Sequence, residues 1–208
     1  MWPRRPSRAS LVLLALFVVI SVLVVSTAAN AWDVAGLKVA GSYRTPGWTS
    51  IMRTLSIIGS GLVEVPFALL MVWVLWWRHR PRDARTYLLA CASGEVLFAL
   101  LKVAFHRRRP TVIPHLAGAG WYSYPSGHSM LAPIVLGFGL LLLATLARAR
   151  VVRIACRTLA VVLVAGIALS RIYLGVHYPT DVLAGLCIGS AWMLWWSAVV
   201  GVSRAPLP

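Results

Sequence analysis

A histidine and an aspartate towards the carboxyl end of the chain have a spacing that suits nucleophilic chemistry. His177 precedes Pro179, which fits the first position of a helix because its missing N–H has no partner to lose there. Asp181 then falls in the first turn, from which its carboxylate can accept a hydrogen bond from one ring nitrogen of His177. That bond leaves the lone pair of the other nitrogen free to attack. The alternative is that Asp181 only stabilises the start of the helix through the helix dipole.

A second histidine follows a serine and a glycine at the start of another apolar stretch. Ser126 fits the N-cap position of a helix, and Gly127 lets a ligand approach the main chain closely. The unpaired N–H groups at a helix start attract an anion. The imidazole of His128 suits proton transfer near neutral pH. An ordinary cap beside an interfacial histidine is the alternative interpretation.

Three cations accompany these groups. Lys102 and Arg109 are seven residues apart, so a continuous helix would point both side chains the same way, about 10 Å apart along its axis. Pro110 disfavours continuation of that helix. Arg171 lies at the end of the apolar stretch before His177. Arginine and lysine suit a phosphoryl group, whereas in isolation such side chains can simply reach the membrane interface.

Six long apolar stretches separate these residues. Hydrophobic residues make up 60% of the chain and charged residues only 12%, against roughly 25% charged in ordinary soluble proteins. Each stretch has about the 20 residues that a helix needs to cross a ~30 Å hydrocarbon layer. The sequence therefore predicts an all-α polytopic membrane protein, a bundle of six transmembrane helices in a single domain over residues 1–208. The stretches are residues 11–29, 55–77, 84–103, 129–147, 154–172 and 179–201.

The distribution of arginine predicts the orientation of the bundle. The net charge is +15, but the basic residues lie in short runs between apolar stretches, which is typical of the positive-inside rule and not of nucleic-acid binding. With six spans, the basic N-terminus, the links 78–85 and 148–153 and the C-terminus share the cytoplasmic side of the cell membrane. The segments 30–54, 104–128 and 173–178 then form loops on the outer side. We therefore expect the candidate residues to meet at the outer membrane face.

The first apolar stretch admits two interpretations. A basic start and the small-x-small pattern Ala29-Asn30-Ala31 fit a cleaved signal peptide. Its apolar run of about 19 residues is longer than is typical of signal peptides and favours an uncleaved helix. Either outcome leaves the other spans in the same orientation.

Together the three groups resemble the signature motifs of the type-2 phosphatidic acid phosphatase superfamily. The motifs span residues 102–181, they occur in the family's order, and no motif position departs from the pattern. The six spans resemble the membrane branch of that family. The segments 124–130 and 170–185 are most similar to bacterial phosphatidylglycerophosphate and undecaprenyl-diphosphate phosphatases. The matching strings are Lys102-x6-Arg109-Pro110, Pro125-Ser126-Gly127-His128 and Ser170-Arg171-x5-His177-x3-Asp181.

The resemblance implies hydrolysis of a lipid phosphate through a phosphohistidine, without a metal ion or another cofactor. In this chain His177 would attack phosphorus, Asp181 would orient it, and His128 would protonate the departing oxygen and later help to activate water. The substrate implied is a membrane lipid with a phosphate or diphosphate, such as undecaprenyl diphosphate, phosphatidylglycerophosphate or phosphatidic acid. The phosphoryl oxygens would be held by Lys102, Arg109, Ser126, Gly127 and Arg171.

The residues themselves favour this chemistry over the alternatives. Phosphoryl transfer depends on positioning and on charge stabilisation, whereas a divalent-metal phosphatase needs several carboxylates, and only Asp33 and Asp181 fall on the outer side. Vanadium-dependent haloperoxidases share the three motifs but are soluble. A lipid-binding or transport protein would use the cations without hydrolysis, and the His177–Asp181 pair argues against it. Glu64 and Glu95 lie inside predicted spans, where ionisable groups are costly and often functional, and the sequence assigns them no role.

Overall fold

The computed structural model describes residues 7–200, and this part of the chain is helical without strands. The predicted all-α fold is therefore confirmed. Arg4, Arg5 and the C-terminus, which contribute to the predicted orientation, lie outside the described residues. Helix α6 contains a π-helical turn at Pro133–Gly137, where proline has no N–H for the regular ladder. The helices are α1 Arg8–Val25, α2 Asn30–Ser42, α3 Pro46–Ile58, α4 Gly61–Trp77, α5 Pro81–Phe105, α6 Gly127–Leu146, α7 Arg150–Tyr173 and α8 Pro179–Val200.

Five of these helices, α1 and α5 to α8, are long and apolar enough to span a bilayer. Helices α3 and α4 meet at an angle of 46° and together form a sixth candidate span. The number of spans agrees with the sequence, but the continuous helix predicted over residues 55–77 is wrong. The helix breaks at Gly59 and Ser60. The main chain of Ser60 is extended, and Gly59 packs so closely on α7 that a Cβ would lie 2.4 Å from Ile167.

Residues 30–54, predicted as a loop, instead form α2 and most of α3. Helix α3 has its own start signal, since the Thr45 hydroxyl accepts a hydrogen bond from the N–H three residues ahead (3.2 Å) and Pro46 occupies the first turn. Arg44, between the two helices, donates to the carbonyl of Tyr173 (2.8 Å). This bond ties α2 and α3 to the carboxyl end of α7.

Helix α6 lies at the centre of the bundle, with 78% of its apolar window buried, against 22% for α1, α5 and α7. Helix α8 packs on α6 through two small residues one turn apart. A Cβ at Gly189 would lie 2.1 Å from the carbonyl oxygen of Met130, and one at Gly185 would lie 2.7 Å from that of Ser126. This close approach places the starts of α6 and α8 side by side, where the N–H of Ser126 donates to the carbonyl of Asp181 (3.0 Å).

Successive spans alternate in direction, so the ends of α5 and α7 and the starts of α6 and α8 lie at the same end of the bundle. At the opposite end, Arg80 in the α4–α5 link donates to the hydroxyl of Thr145 near the end of α6 (2.5 Å). The three motifs therefore lie at one end and the arginine-rich links at the other.

Candidate active site

A cavity of about 320 Å³ opens at the end of the bundle where α5 to α8 meet. Six of the eight candidate site residues border it, although they come from segments that are distant in the sequence. The other two, Ser126 and Asp181, are fully buried behind Gly127 and His177. The six bordering residues are Lys102, Arg109, Gly127, His128, Arg171 and His177.

His177 lies in the short link between α7 and α8, and only 2% of its surface is exposed. Its Nε2 is 3.2 Å from Nη1 of Arg109. Because a guanidinium can only donate, Nε2 is the ring nitrogen that carries the lone pair. The proton is then on Nδ1, which is the tautomer that attack by Nε2 requires.

The surroundings keep this imidazole neutral. Burial lowers the pKa of His177 to about 4; Asp181 opposes that shift, and the charges of Arg109 and Lys102 add to it. Nδ1 is 3.4 Å from Oδ2 of Asp181 and 3.4 Å from the hydroxyl of Ser123. Both contacts are longer than ordinary hydrogen bonds, and catalytic contacts of this kind tighten when a ligand binds.

Asp181 lies in the first turn of α8, as the sequence predicts, and has more partners than a helix start requires. It accepts hydrogen bonds from the N–H of Tyr178 (2.9 Å), from the hydroxyl of Ser123 and from Nη1 of Arg107 (2.6 Å). These donors fix the carboxylate with Oδ2 towards His177. Capping of the helix and orientation of the histidine are therefore compatible in one side chain.

Two of the cations that border the cavity are buried almost completely, Lys102 with 2% and Arg171 with 4% of their surface exposed. Lys102 donates to two successive carbonyls, the second that of Ser123 (3.1 Å). Arg171 donates to the hydroxyl of Ser56, while its Nε has no hydrogen-bond partner among the described residues. Like charges repel one another, and an unpaired buried donor is costly, so a cavity bordered by these side chains favours an anion.

Arg109 reaches the cavity by a different route from the one that the sequence predicts. Helix α5 ends before it, because His106 has a left-handed main chain (φ 46°) that turns the chain away from the helix axis. Arg109 lies in the following loop and donates to the carbonyls of Gly120 (2.6 Å) and Val176 (2.7 Å). The prediction that Lys102 and Arg109 share one helical face is therefore wrong, although both side chains border the cavity.

Ser126, Gly127 and His128 begin α6. The Ser126 hydroxyl caps the helix, accepting from the N–H (3.5 Å) and the hydroxyl (2.9 Å) of the residue three positions ahead. A Cβ at Gly127 would lie 2.7 Å from the ring of Phe98, so glycine is needed here for packing and leaves its main chain at the cavity wall. His128 borders the cavity and is held by a hydrogen bond to the main chain of Ser56.

An ion network behind Asp181 was not predicted from the sequence. Asp33 of α2 is fully buried and accepts from Nη2 of Arg107 (2.6 Å) and from the N–H (3.0 Å) and hydroxyl (2.6 Å) of Thr180. Arg107 therefore bridges two buried carboxylates, with its guanidinium over the ring of Tyr178. Burial alone would lower the pKa of Arg107, but Asp181 and Asp33 raise it. The scarcity of acidic residues was the available signal, since a carboxylate near Asp181 needs a cation.

The fold and the cavity together define a class of protein. It is a membrane-embedded helical bundle with a buried cationic pocket beside a neutral, oriented histidine. Within residues 7–200, no three His, Cys, Asp or Glu side chains are grouped so that they could hold a metal ion.

Comparison with known proteins identifies the family within this class. The model of the PAP2 superfamily matches residues 83–204. The chain is 29% identical over 178 residues to phosphatidylglycerophosphatase B of Bacillus subtilis, covering 83% of this chain and 85% of that protein. It is 32% identical over 154 residues to decaprenylphosphoryl-5-phosphoribose phosphatase of Mycobacterium tuberculosis, covering 70% of this chain and 76% of that protein. The fold is similar to the crystal structure of a transmembrane PAP2-type phosphatidylglycerolphosphate phosphatase from Bacillus subtilis, with a TM-score of 0.85 and 24% identity over 96% of this chain and 98% of that chain.

The chain belongs to the PAP2 superfamily, and the resemblance seen in its three motifs is confirmed. Its relatives are lipid phosphatases, which places the protein among enzymes that hydrolyse phosphoric esters of membrane lipids. The similarity to the solved structure concerns the fold alone.

Proposed function

We propose that the protein hydrolyses the phosphate of a membrane lipid through a phosphohistidine at His177, without a metal ion. One observation carries the proposal: the Nε2 lone pair of His177 lies at a cavity bordered by Lys102, Arg109 and Arg171. Phosphoryl transfer depends mainly on positioning and on stabilising charge over the oxygens, and this arrangement supplies both. A protein that only binds or transports lipid phosphates has no need of an oriented, neutral imidazole.

The first half of the reaction transfers the phosphoryl group to the enzyme. Nε2 of His177 attacks phosphorus while Asp181 holds the Nδ1 proton. The bond between phosphorus and the lipid oxygen breaks, and His128 gives its proton to that oxygen. The three cations and the main-chain N–H of Gly127 hold the remaining phosphoryl oxygens, and Ser126 supports them by capping α6.

The second half returns the enzyme to its starting state. His128 takes a proton from a water molecule, and the water oxygen attacks phosphorus. The bond between phosphorus and Nε2 of His177 breaks, which releases inorganic phosphate and restores the neutral imidazole. One water molecule is consumed for each lipid phosphate hydrolysed.

The substrate is proposed to be a lipid with its phosphate at the membrane interface. Phosphatidylglycerophosphatase B and decaprenylphosphoryl-5-phosphoribose phosphatase, by their names, act on a glycerol lipid and on a polyprenyl lipid. Both names support a lipid phosphate in the cavity. Phosphatidylglycerophosphate, phosphatidic acid and undecaprenyl diphosphate are the candidates to compare.

We place the cavity on the outer side of the cell membrane, because the arginine-rich links lie at the opposite end of the bundle and favour the cytoplasm. Single cysteines in place of exposed residues test this orientation. On intact cells, a membrane-impermeant maleimide is expected to label Arg108→Cys in the loop after α5 and not His79→Cys in the α4–α5 link. The reverse pattern of labelling would overturn the orientation.

Phosphate release from the three lipids, measured with purified protein in EDTA, tests the function. We expect turnover by the wild type and none by His177→Asn. His79→Asn is the matched control, because His79 is exposed and has a left-handed main chain (φ 56°) that asparagine tolerates. Activity that survives in His177→Asn would remove the assignment of the nucleophile. Lipid binding without phosphate release by the wild type would instead favour a binding protein.

A further inference from the structure

Two carboxyl groups border the same cavity and take no part in the reaction above. Glu64, in the first turn of α4, is 4% exposed, and its Oε1 has no hydrogen-bond partner among the described residues. Glu95 lies on α5, two turns or about 10 Å before Lys102. The two carboxyls are close enough to interact electrostatically. A buried carboxyl oxygen at a cavity wall without a donor is costly, and a ligand that supplies a donor removes that cost.

These carboxyls lie on the side of the cavity that adjoins the bilayer. Leu62, next to Gly61 in the cavity wall, is 83% exposed, and Val96, next to Glu95, is 60% exposed, so both side chains face the surrounding lipid. A Cβ at Gly61 would have nothing within 4 Å, which leaves the wall between α4 and α5 open at this point. His177 is carried by the α7–α8 link. In an in-line transfer the leaving oxygen departs opposite the nucleophile.

We infer that Glu64 and Glu95 bind hydroxyl groups on the leaving part of the substrate, the segment between the reacting phosphate and the apolar tail. The inference rests on the proposed function and narrows its substrate class. Preferred substrates are phosphate monoesters of a hydroxylated unit, such as glycerol or a pentose, that is attached to a lipid. Hydroxyl groups donate to carboxylate oxygens, and charge-assisted bonds of this kind are strong.

The same carboxyls disfavour lipid diphosphates. When the outer phosphate of a diphosphate occupies the cationic pocket, its inner phosphate lies towards Glu64 and Glu95. That phosphate is negatively charged and offers oxygens without hydrogens. Its repulsion by the carboxylates opposes binding.

A purely local role for Glu64 makes a different prediction. A carboxylate in the first turn of α4 also stabilises the positive end of the helix dipole. Its loss would then change stability, and would change the rate on all substrates by one common factor. The ratio of rates between two matched substrates separates this role from recognition of the leaving group.

The test uses Glu64→Gln and Glu95→Gln in the full-length protein. Asp83→Asn is the matched control, since Asp83 lies at the other end of α5 in an ion pair with Arg80 (2.5 Å). One substrate pair is lysophosphatidic acid and its analogue without the glycerol hydroxyl, and the other is farnesyl diphosphate and farnesyl phosphate. In mixed micelles kcat and KM are measured for each substrate, and kcat/KM is compared within each pair.

Each glutamine variant is expected to lower the preference for the hydroxylated member of the first pair about tenfold, as loss of a hydrogen bond to a charged group does. It is expected to raise the ratio of diphosphate to monophosphate by a similar factor, about tenfold, because repulsion is removed. Asp83→Asn is expected to leave both ratios unchanged. Should Glu64→Gln fail to fold, Glu95→Gln carries the test, since Glu95 is exposed in the unliganded protein.

The outcomes separate this inference from the proposed function. If the wild type turns over these lipids with dependence on His177 but both glutamine variants leave the two ratios unchanged, the role of the carboxyls is wrong and the phosphatase remains. If the wild type releases phosphate from none of the lipids, the proposed function fails and the inference fails with it.

Discussion

Replacement of Arg107 by methionine tests whether the buried ion network holds Asp181 in place. The guanidinium donates to Asp181 (2.6 Å) and to Asp33 (2.6 Å). Methionine keeps much of the side-chain volume but removes the charge and both bonds. Two carboxylates with no exposed surface are then left without their cation.

The structure sets the size of the effect. Breaking a buried ion pair by removing one partner costs about 3–5 kcal/mol, because the other charge stays buried. Each carboxylate here keeps two other donors, namely the N–H and hydroxyl of Thr180 for Asp33, and Tyr178 N–H and Ser123 for Asp181. We therefore expect the lower end of that range, a loss of about 3 kcal/mol in the free energy of unfolding. Adding Asp33→Asn removes one unpaired charge and should recover about 1 kcal/mol.

The assay is denaturant unfolding of the purified variants in one detergent, with phosphate release measured on the same samples. Arg108→Met is the matched control, because Arg108 is the next residue and is exposed. It should change the free energy of unfolding by no more than about 0.5 kcal/mol. The reasoning is refuted if Arg107→Met is as stable as Arg108→Met, or if Asp33→Asn destabilises the Arg107 variant further.

Three more predictions concern the histidine, its carboxylate and the helix packing. Asp181→Asn should keep the fold but slow turnover by about 10³- to 10⁴-fold, because the amide no longer fixes the required tautomer; near-normal rates would show that Asp181 is only a helix-start residue. The C2 proton of His177 should titrate by NMR with a midpoint near pH 4, so that the neutral imidazole persists as the pH falls below 6.5, the ordinary pKa of histidine. Lys102→Met should move that midpoint upwards by removing a repelling charge, and a wild-type midpoint near pH 6.5 would contradict the burial argument. Gly189→Ala should cost about 1–3 kcal/mol of unfolding free energy, since a Cβ would lie 2.1 Å from an α6 carbonyl oxygen; the control Gly47→Ala, with nothing within 4 Å of its Cβ, should not, and equal losses would mean that α6 and α8 pack less closely.

Local signals in the sequence were sufficient for the start of α8 and for the start of α6. Pro179 and Asp181 mark the first turn of α8, and Ser126 caps α6, because each of these effects acts within four residues. Hydrophobic length likewise predicted the spans. The same rules could have found α3, whose start at Thr45 and Pro46 has the same kind of signal, but the search for long apolar stretches passed over it.

Other features depend on contacts between distant segments. The break at Gly59 reflects close packing against Ile167, which no local pattern reveals. Asp33 lies far from Asp181 in the sequence, and only the fold shows that Arg107, rather than its exposed neighbour Arg108, joins the two carboxylates. Sequence thus indicated which residues could do chemistry, while the residues that support them needed the three-dimensional structure.

Covalent transfer to His177 is tested most directly with the His128→Ala variant and p-nitrophenyl phosphate, whose leaving group departs without a proton. The variant can still form the phosphoenzyme but has lost the group that activates water, so the phosphoryl group should accumulate on the protein. We expect rapid release of one nitrophenolate per enzyme molecule, and mass spectrometry under alkaline conditions should find a single phosphoryl group on His177. Nitrophenolate release without a covalent phosphoryl group, or a phosphoryl group on any other residue, would contradict the proposed mechanism.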